Sequence, residues 1–216
     1  MRAMPSRQPH DEVREALDWL KRHATKATLD GMSRYKIPSQ GAYGTAMRDI
    51  QALAKELGKS HALAAALWDT GQYEARMLAC YVDEPAKVTS SQMDRWCREF
   101  GNWAHCDTAC FVLFDRTPHA WSKVEAWAKR RDEIEKRAGF ALLWALALHD
   151  KASGRERFER GLELVAEAAG DERHYVKKAL AMARGALERR LAATRPARGA
   201  RPARKPSPRR PPKPRA

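Results

Sequence analysis

The residues best suited to chemistry lie in the segment NWAHCDTACFVLF at 102–114. Trp103 and Asp107 are four positions apart, so in a helix that begins near Asn102 they lie on one face. A carboxylate there could orient a water molecule or stabilise a cation, and the face of an indole ring attracts cations. The alternative interpretation is that Trp103 packs in the core and that Asp107 caps the helix.

A third candidate, Arg137, stands at the entry to the strongly apolar segment IEKRAGFALLWALAL. An arginine in this position faces a groove or pairs with a carboxylate. The sequence leaves its partner open among Glu74, Glu135, Asp107 and a phosphate group. Lys177 and Lys178 occupy the same kind of position farther along the chain.

Positive charge is concentrated at the C-terminal end of a 216-residue chain whose net charge is +14. Residues 195–216 carry seven Arg, two Lys and seven Pro without an acid, which leaves +5 for residues 1–194. We therefore expect a folded domain over 1–194 and a disordered basic tail over 195–216. Basic surfaces attract phosphate irrespective of sequence, which indicates nucleic acid as a partner.

Several function classes lack their signatures here. The chain has no glycine-rich phosphate loop, no G-x-S-x-G and no H-E-x-x-H motif. The opening residues MRAMPSRQPHDEV lack the apolar core of a signal peptide, and no run reaches membrane-spanning length, so we expect a cytoplasmic protein. Without a C-x-x-C pair, we interpret the cysteines as buried core residues and expect no metal: Cys80, Cys97, Cys106 and Cys110.

Hydrophobic periodicity predicts an all-α fold without strands. A first helix is expected from Asp11 to about Ala27, followed by a glycine- and proline-marked loop at 31–44. Further helices, bounded by Gly and Pro, are predicted at about 45–57, 60–69, 71–82, 90–100, 104–115, 118–129, 132–149, 155–169 and 172–193.

Three of these helices begin alike, with a basic residue followed by small and apolar residues: YEARMLACYV, IEKRAGFALL and HYVKKALAMA. The basic residues are Arg76, Arg137 and Lys178, at a spacing that suits stacked helical hairpins. Stacking would align equivalent helix starts along one wall. Free N–H groups at helix starts and the helix dipole favour anions, so such a row predicts a phosphate-binding groove.

The segment from about 30 to 185 resembles the DNA alkylation repair family of AlkD-like DNA glycosylases, which are built of HEAT-like helical repeats. The matching pieces occur in the family's order: ALWDTGQYEARMLACYV, MDRWCREFGNWAHCDT, EIEKRAGFALLWALALHDK and DERHYVKKALAMA. The resemblance implies a curved stack of antiparallel helical hairpins, a HEAT-like α-solenoid, with a concave basic groove for duplex DNA.

The resemblance also implies residue roles. The family's catalytic tryptophan and aspartate fall on Trp103 and Asp107, and its backbone-contacting arginine falls on Arg137, with Arg76, Lys177 and Lys178 as further DNA-binding candidates. Family substrates are cationic alkylated purines such as 3-methyladenine and 7-methylguanine, removed in base excision repair without a pocket for a flipped base. We therefore expect a monomeric glycosylase that needs no cofactor or metal.

Two positions depart from the family pattern. The resemblance places a second active-site tryptophan of the family near Met182, and Gln51 stands on the helix after Gly44, where the family often has an arginine. Methionine offers no π face to a sugar cation. A second hypothesis is therefore a non-catalytic nucleic-acid-binding repeat protein that recognises damaged or branched DNA, and a third is a protein-interaction scaffold.

Overall fold

The computed structural model describes residues 9–193, and the tail predicted at 195–216 lies outside them. The described part contains α-helices and one short 3-10 turn, with no strand. The helices, in chain order, are α1 (Pro9–Arg22), α2 (Lys26–Arg34), α3 (Met47–Leu57), α4 (His61–Asp69), α5 (Tyr73–Val82), α6 (Ser90–Arg98), α7 (Trp103–Val112), α8 (Ala120–Trp127), α9 (Glu133–His149), α10 (Arg155–Glu167) and α11 (His174–Ala193).

The prediction of an all-α stack is confirmed, and most predicted helices differ by one to three residues at their ends. The interpretation of 31–44 as a loop was wrong at its start. Thr25 accepts a hydrogen bond from the Thr28 amide and begins a separate helix, α2, that runs through Gly31 to Arg34. Gly31 does not interrupt α2, because a helix interior tolerates one glycine at a modest cost in stability.

The odd-numbered helices from α3 to α11 form one layer, in which each packs on the next. Contacts between helix starts show that they run parallel. The His105 ring of α7 meets the carbonyl of Tyr73 at the start of α5. The Tyr175 amide at the start of α11 donates to Glu133 at the start of α9 at 2.7 Å. The N-terminal ends of these helices therefore line one edge of the layer, as the repeat pattern predicted.

Helices α4 and α10 belong to the second layer and run antiparallel to their partners, α5 and α11. The start of α4 lies at the end of α5, where the Ser60 amide donates to Val82 O at 2.8 Å. The start of α10 lies at the end of α11, where Arg155 donates to Leu191 O at 2.8 Å. Each α-hairpin buries its apolar face only against its neighbours, which is the arrangement of a helical repeat stack.

The core runs continuously between the two layers. Its largest fully buried side chains include Trp68, Trp96 and Trp127. All four cysteines are buried and free, which confirms their interpretation as core residues. No helix within residues 9–193 is long and apolar enough to cross a membrane.

Candidate active site

Trp103 is the first residue of α7, and its place is fixed from both sides. Asn102 caps the helix, since its side-chain oxygen accepts hydrogen bonds from the amides of Ala104 at 2.9 Å and His105 at 3.1 Å. The indole is partly buried, and its N–H donates to the carbonyl oxygen of Tyr35 at 3.1 Å. Asn102, and not Asp107, is therefore the cap of α7, so the capping alternative for Asp107 was wrong.

Asp107 lies one turn along the same helix and forms a two-point ion pair with Arg137. Nε of the arginine donates to Oδ1 at 2.9 Å, and Nη2 donates to Oδ2 at 2.6 Å. The third nitrogen, Nη1, donates to the carbonyl of Tyr175 at 2.9 Å. One arginine thus ties together the starts of α7, α9 and α11. Among the partners left open by the sequence, the structure selects Asp107.

The pair is largely removed from water, with side-chain exposures of 7% for Arg137 and 19% for Asp107. Burial raises the pKa of Asp107, and the hydrogen bonds and charge of Arg137 partly offset that rise. Burial alone would lower the pKa of Arg137, but the carboxylate outweighs it and the pKa rises. Two parallel N–H···O bonds require an ionised acceptor, so this geometry stabilises the charged pair.

Arg137 also lies over Trp103, with the guanidinium carbon 5.9 Å from the ring centroid. The three residues singled out from the sequence are therefore one physical cluster. They use different atoms: the indole face meets the cation, the indole N–H holds the loop after α2, and the carboxylate holds the guanidinium. The three bonds of Arg137 do not use all of its N–H groups.

A cavity of about 320 Å³ opens beside this cluster. Its wall is cationic and aromatic and contains no acid among the described residues: Arg34, Tyr35, Lys36, Trp103, Arg137, His174, Tyr175 and Lys178. Asp107 is not among the wall residues, but it is paired with Arg137, which is. The cavity therefore presents positive charge and ring faces, and Asp107 joins this surface through its ion pair with Arg137.

A buried histidine supports the start of α7 from behind. Asn102 Nδ2 donates to His105 Nδ1 at 3.3 Å, so Nε2 carries the proton that it donates to Tyr73 O at 3.1 Å. Burial lowers the pKa of His105 to about 4, with a smaller contribution of the same sign from the charge of Arg76. The ring is neutral at physiological pH and serves to connect α5 with α7.

The predicted row of basic residues has different local environments along the edge. Lys178 is exposed and lines the cavity. Lys177 is exposed and paired with Glu172 at 2.6 Å. Arg76 is directed inward: it donates to Glu99 O at 2.9 Å and stacks on Trp68 at 4.9 Å. Their contact with DNA stays a prediction, and Lys178 is the residue best placed for it.

Helix-start amides are not the anion ligands that the sequence interpretation supposed. The side chains of Gln72, Asn102 and Asp132 already accept hydrogen bonds from the amides at the starts of α5, α7 and α9 respectively. An acidic cap occupies the start of α9, where free N–H groups were expected. Side chains, and not backbone amides, therefore supply the positive charge at this edge.

Sequence reasoning missed the contribution of the segment after α2. Arg34, Tyr35 and Lys36 line the cavity opposite α11, and Lys36 adopts a left-handed backbone conformation with φ of 55°. Glu74 anchors the rest of this loop, because its buried carboxylate accepts hydrogen bonds from Tyr43 N at 3.1 Å and Gly44 N at 2.7 Å. The only local signal for this contribution is the triplet R-Y-K at 34–36, which combines two cations with an aromatic ring.

Both departures from the family pattern lie on exposed surface. Met182 follows Lys178 by one turn of α11 and is 46% exposed. Gln51 is exposed on α3, and its amide donates to the Tyr81 hydroxyl at 2.9 Å. No group of three His, Cys, Asp or Glu side chains within residues 9–193 is arranged to hold a metal ion.

Comparison with known proteins gives two matches. The family model described as DNA alkylation repair enzyme matches residues 16–184. A solved structure described as a new family of proteins related to the HEAT-like repeat DNA glycosylases, with affinity for branched DNA structures, superposes with a TM-score of 0.70 at 20% identity. That alignment covers 81% of this chain and 75% of the other. No curated protein sequence matches significantly.

Proposed function

Because the chain belongs to the DNA alkylation repair enzyme family, we propose that it is a DNA glycosylase that removes cationic alkylated purines from duplex DNA. The observation that carries this proposal is the Trp103–Asp107–Arg137 cluster beside a cationic cavity. The proposed substrates are 3-methyladenine and 7-methylguanine in DNA. The proposal places the protein in base excision repair.

Binding would follow from the charge of the cavity wall. Arg34, Lys36 and Lys178 are exposed, and no ion pair involving them is present within the described residues. Each phosphate that such a side chain neutralises releases counterions, which gives sequence-independent and salt-sensitive affinity. Arg137 would contact a phosphate only with the N–H groups that Asp107 and Tyr175 leave unused.

The chemistry that this cluster would support is dissociative. An alkylated purine with a positive charge leaves when the bond between C1′ and the base nitrogen breaks, and its electron pair neutralises the base. The sugar becomes an oxocarbenium ion, water adds to C1′, and a proton is released. The products are the neutral alkylated base and an abasic site.

The residues would act on the sugar and the water, not on the base. The Asp107 carboxylate stabilises positive charge on the sugar and positions the attacking water. A charge that is already oriented towards the transition state lowers the activation barrier. The indole of Trp103 offers a π face to the same cation. The Arg137 pair holds the carboxylate in one orientation, so that it need not reorganise during the reaction.

The test is the release of base from methylated duplex DNA, measured with the full chain and with residues 1–194. We expect both to release 7-methylguanine and 3-methyladenine and to leave unmethylated DNA intact. Tail removal should weaken DNA binding without abolishing excision. A protein that releases no base while binding the same DNA would refute the glycosylase proposal.

A second candidate is recognition of DNA without excision. Both oxygens of Asp107 already accept bonds from Arg137, and Met182 replaces an aromatic ring. The similar solved structure is of a protein with affinity for branched DNA. This candidate predicts salt-sensitive binding, no base release, and no change in DNA affinity when Asp107 is replaced by Asn.

A further inference from the structure

The cavity is continued, farther along the same helices, by an apolar surface that the proposed function does not use. Trp144 follows Arg137 by seven residues on α9, and Met182 follows Tyr175 by seven residues on α11. Seven residues are two helical turns, so each lies on the same face as the cavity residue, about 10 Å away. Arg137 and Tyr175 are hydrogen-bonded at 2.9 Å, which places Trp144 and Met182 at one height.

The parallel register of α9 and α11 is held at both ends. At the far end Arg190 donates to Ala147 O at 3.2 Å. Trp144 and Met182 lie between this contact and the Arg137–Tyr175 contact. Their common height therefore follows from the hydrogen bonds and not from sequence spacing alone.

Helix α7 contributes a third side chain to this apolar surface. Phe111 follows Asp107 by one turn, and its ring meets the Trp144 ring edge-on with centroids 4.5 Å apart. Phe111 and Trp144 are partly buried, whereas Met182 is 46% exposed and Leu148, one turn after Trp144 on α9, is 39% exposed. We call Phe111, Trp144, Leu148 and Met182 the aromatic step.

Charge around the aromatic step favours a polyanion. Lys178 precedes Met182 by one turn, and Arg189 follows it by two turns on the same face of α11. Both are exposed, and neither makes an ion pair with an acid within residues 9–193. A ring and a thioether flanked by two cations suit a ligand with flat apolar faces and negative charges at regular intervals.

We propose that the aromatic step binds the unpaired bases of a DNA strand that leaves the duplex beside the cavity, and so makes flapped or branched DNA the preferred ligand. This inference rests on the proposed binding of DNA at the cavity. In paired DNA the base faces are stacked within the helix. Only unpaired bases present free faces to a ring, while their phosphates pair with Lys178 and Arg189.

The test compares binding of the full chain to a duplex and to the same duplex with a single-stranded thymine flap, by fluorescence anisotropy with labelled DNA. Wild-type protein should bind the flap DNA at least tenfold more tightly. Trp144→Leu retains an apolar side chain but removes the ring, and Met182→Ala removes the thioether without adding a charge beside Lys178. Each should lower flap affinity about tenfold and duplex affinity less than twofold.

Trp19→Leu is the matched control, because Trp19 is a partly buried tryptophan on α1 that stacks on His23 and does not line the cavity. It should leave both affinities unchanged, and thermal unfolding of each variant verifies that it is folded. Equal wild-type affinity for the two DNAs, or equal losses on both in the variants, would overturn the inference. So would a protein dimer that Met182→Ala dissociates, since a second copy would then cover the step.

The measurements on duplex DNA and on flap DNA distinguish a failure of the proposed function from a failure of this inference. Absence of duplex binding by wild-type protein would contradict the proposed function as well as this inference. Duplex binding and base release without a flap preference would overturn the aromatic step alone.

Discussion

Replacing Arg137 by Met tests whether the Asp107 pair organises this edge of the protein. The substitution keeps an apolar side chain of similar reach but leaves the carboxylate, with 19% of its side chain exposed, without its cation. Breaking a buried pair in this way costs roughly 3–5 kcal/mol. Because water still reaches part of Asp107, we expect about 3 kcal/mol, near the lower bound of that range.

The pH dependence of this loss gives a second, independent check. Without Arg137, only the weaker hydrogen bond with Cys106 opposes burial, and the pKa of Asp107 rises further. A carboxyl whose pKa is higher in the folded than in the unfolded protein destabilises the fold as the pH rises through these values. The deficit of Arg137→Met should therefore be larger at pH 7.5 than at pH 4.5, where protonation relieves the unpaired charge.

Urea unfolding followed by tryptophan fluorescence measures both quantities. Arg95→Met is the matched control, because Arg95 pairs with Asp69 at 2.6 Å on the exposed surface, where such pairs contribute about 1 kcal/mol or less. Adding Asp107→Leu to Arg137→Met should recover part of the loss. The reasoning is refuted if Arg137→Met costs no more than Arg95→Met, or if its deficit is the same at both pH values.

Three further predictions concern binding, pH and packing. Lys178→Ala should weaken binding to any duplex and lower the slope of log affinity against log salt by about 1, and an unchanged slope would contradict a phosphate contact. Burial lowers the pKa of His105 to about 4, so the stability that neutral His105 contributes should be lost as the pH falls from about 6.5 to 4. His105→Gln should flatten this decline in the free energy of unfolding. Parallel pH profiles for wild-type protein and the variant would contradict the prediction. Gly139→Ala places a Cβ 2.6 Å from Ala128 N and should cost about 1–3 kcal/mol in urea unfolding, whereas Gly170→Ala, which meets open space, should cost less than about 0.5 kcal/mol.

Most of the fold was predictable because its local signals agree. Gly58, Gly71, Gly101 and Gly154 lie between helices, as predicted, and the apolar periodicity between them gave the helix type. Gly31 was misleading because it, too, was interpreted as the boundary of a helix. A glycine is a helix boundary only where the backbone needs it, and α2 simply continues through Gly31.

The site was predictable only in part, since its contacts join distant segments. Trp103 and Asp107 share a helix face, so spacing could pair them. The choice of Asp107 for Arg137 depends on how α7 and α9 pack, across 30 residues of sequence. The bond from Trp103 to Tyr35 spans 68 residues and depends on the loop that Glu74 anchors, which no local pattern reports.

The central claim is that Asp107, held by Arg137 beside Trp103, promotes loss of an alkylated base. Its most direct test is single-turnover release of 7-methylguanine from methylated duplex by wild-type protein and by Asp107→Asn, with DNA affinity measured on the same preparations. Asn retains an oxygen acceptor for Arg137, so the fold should persist. We expect release to fall about 100-fold or more while DNA affinity stays within about threefold. Equal release by the two proteins, or no release by wild-type protein that binds the DNA, would contradict the claim.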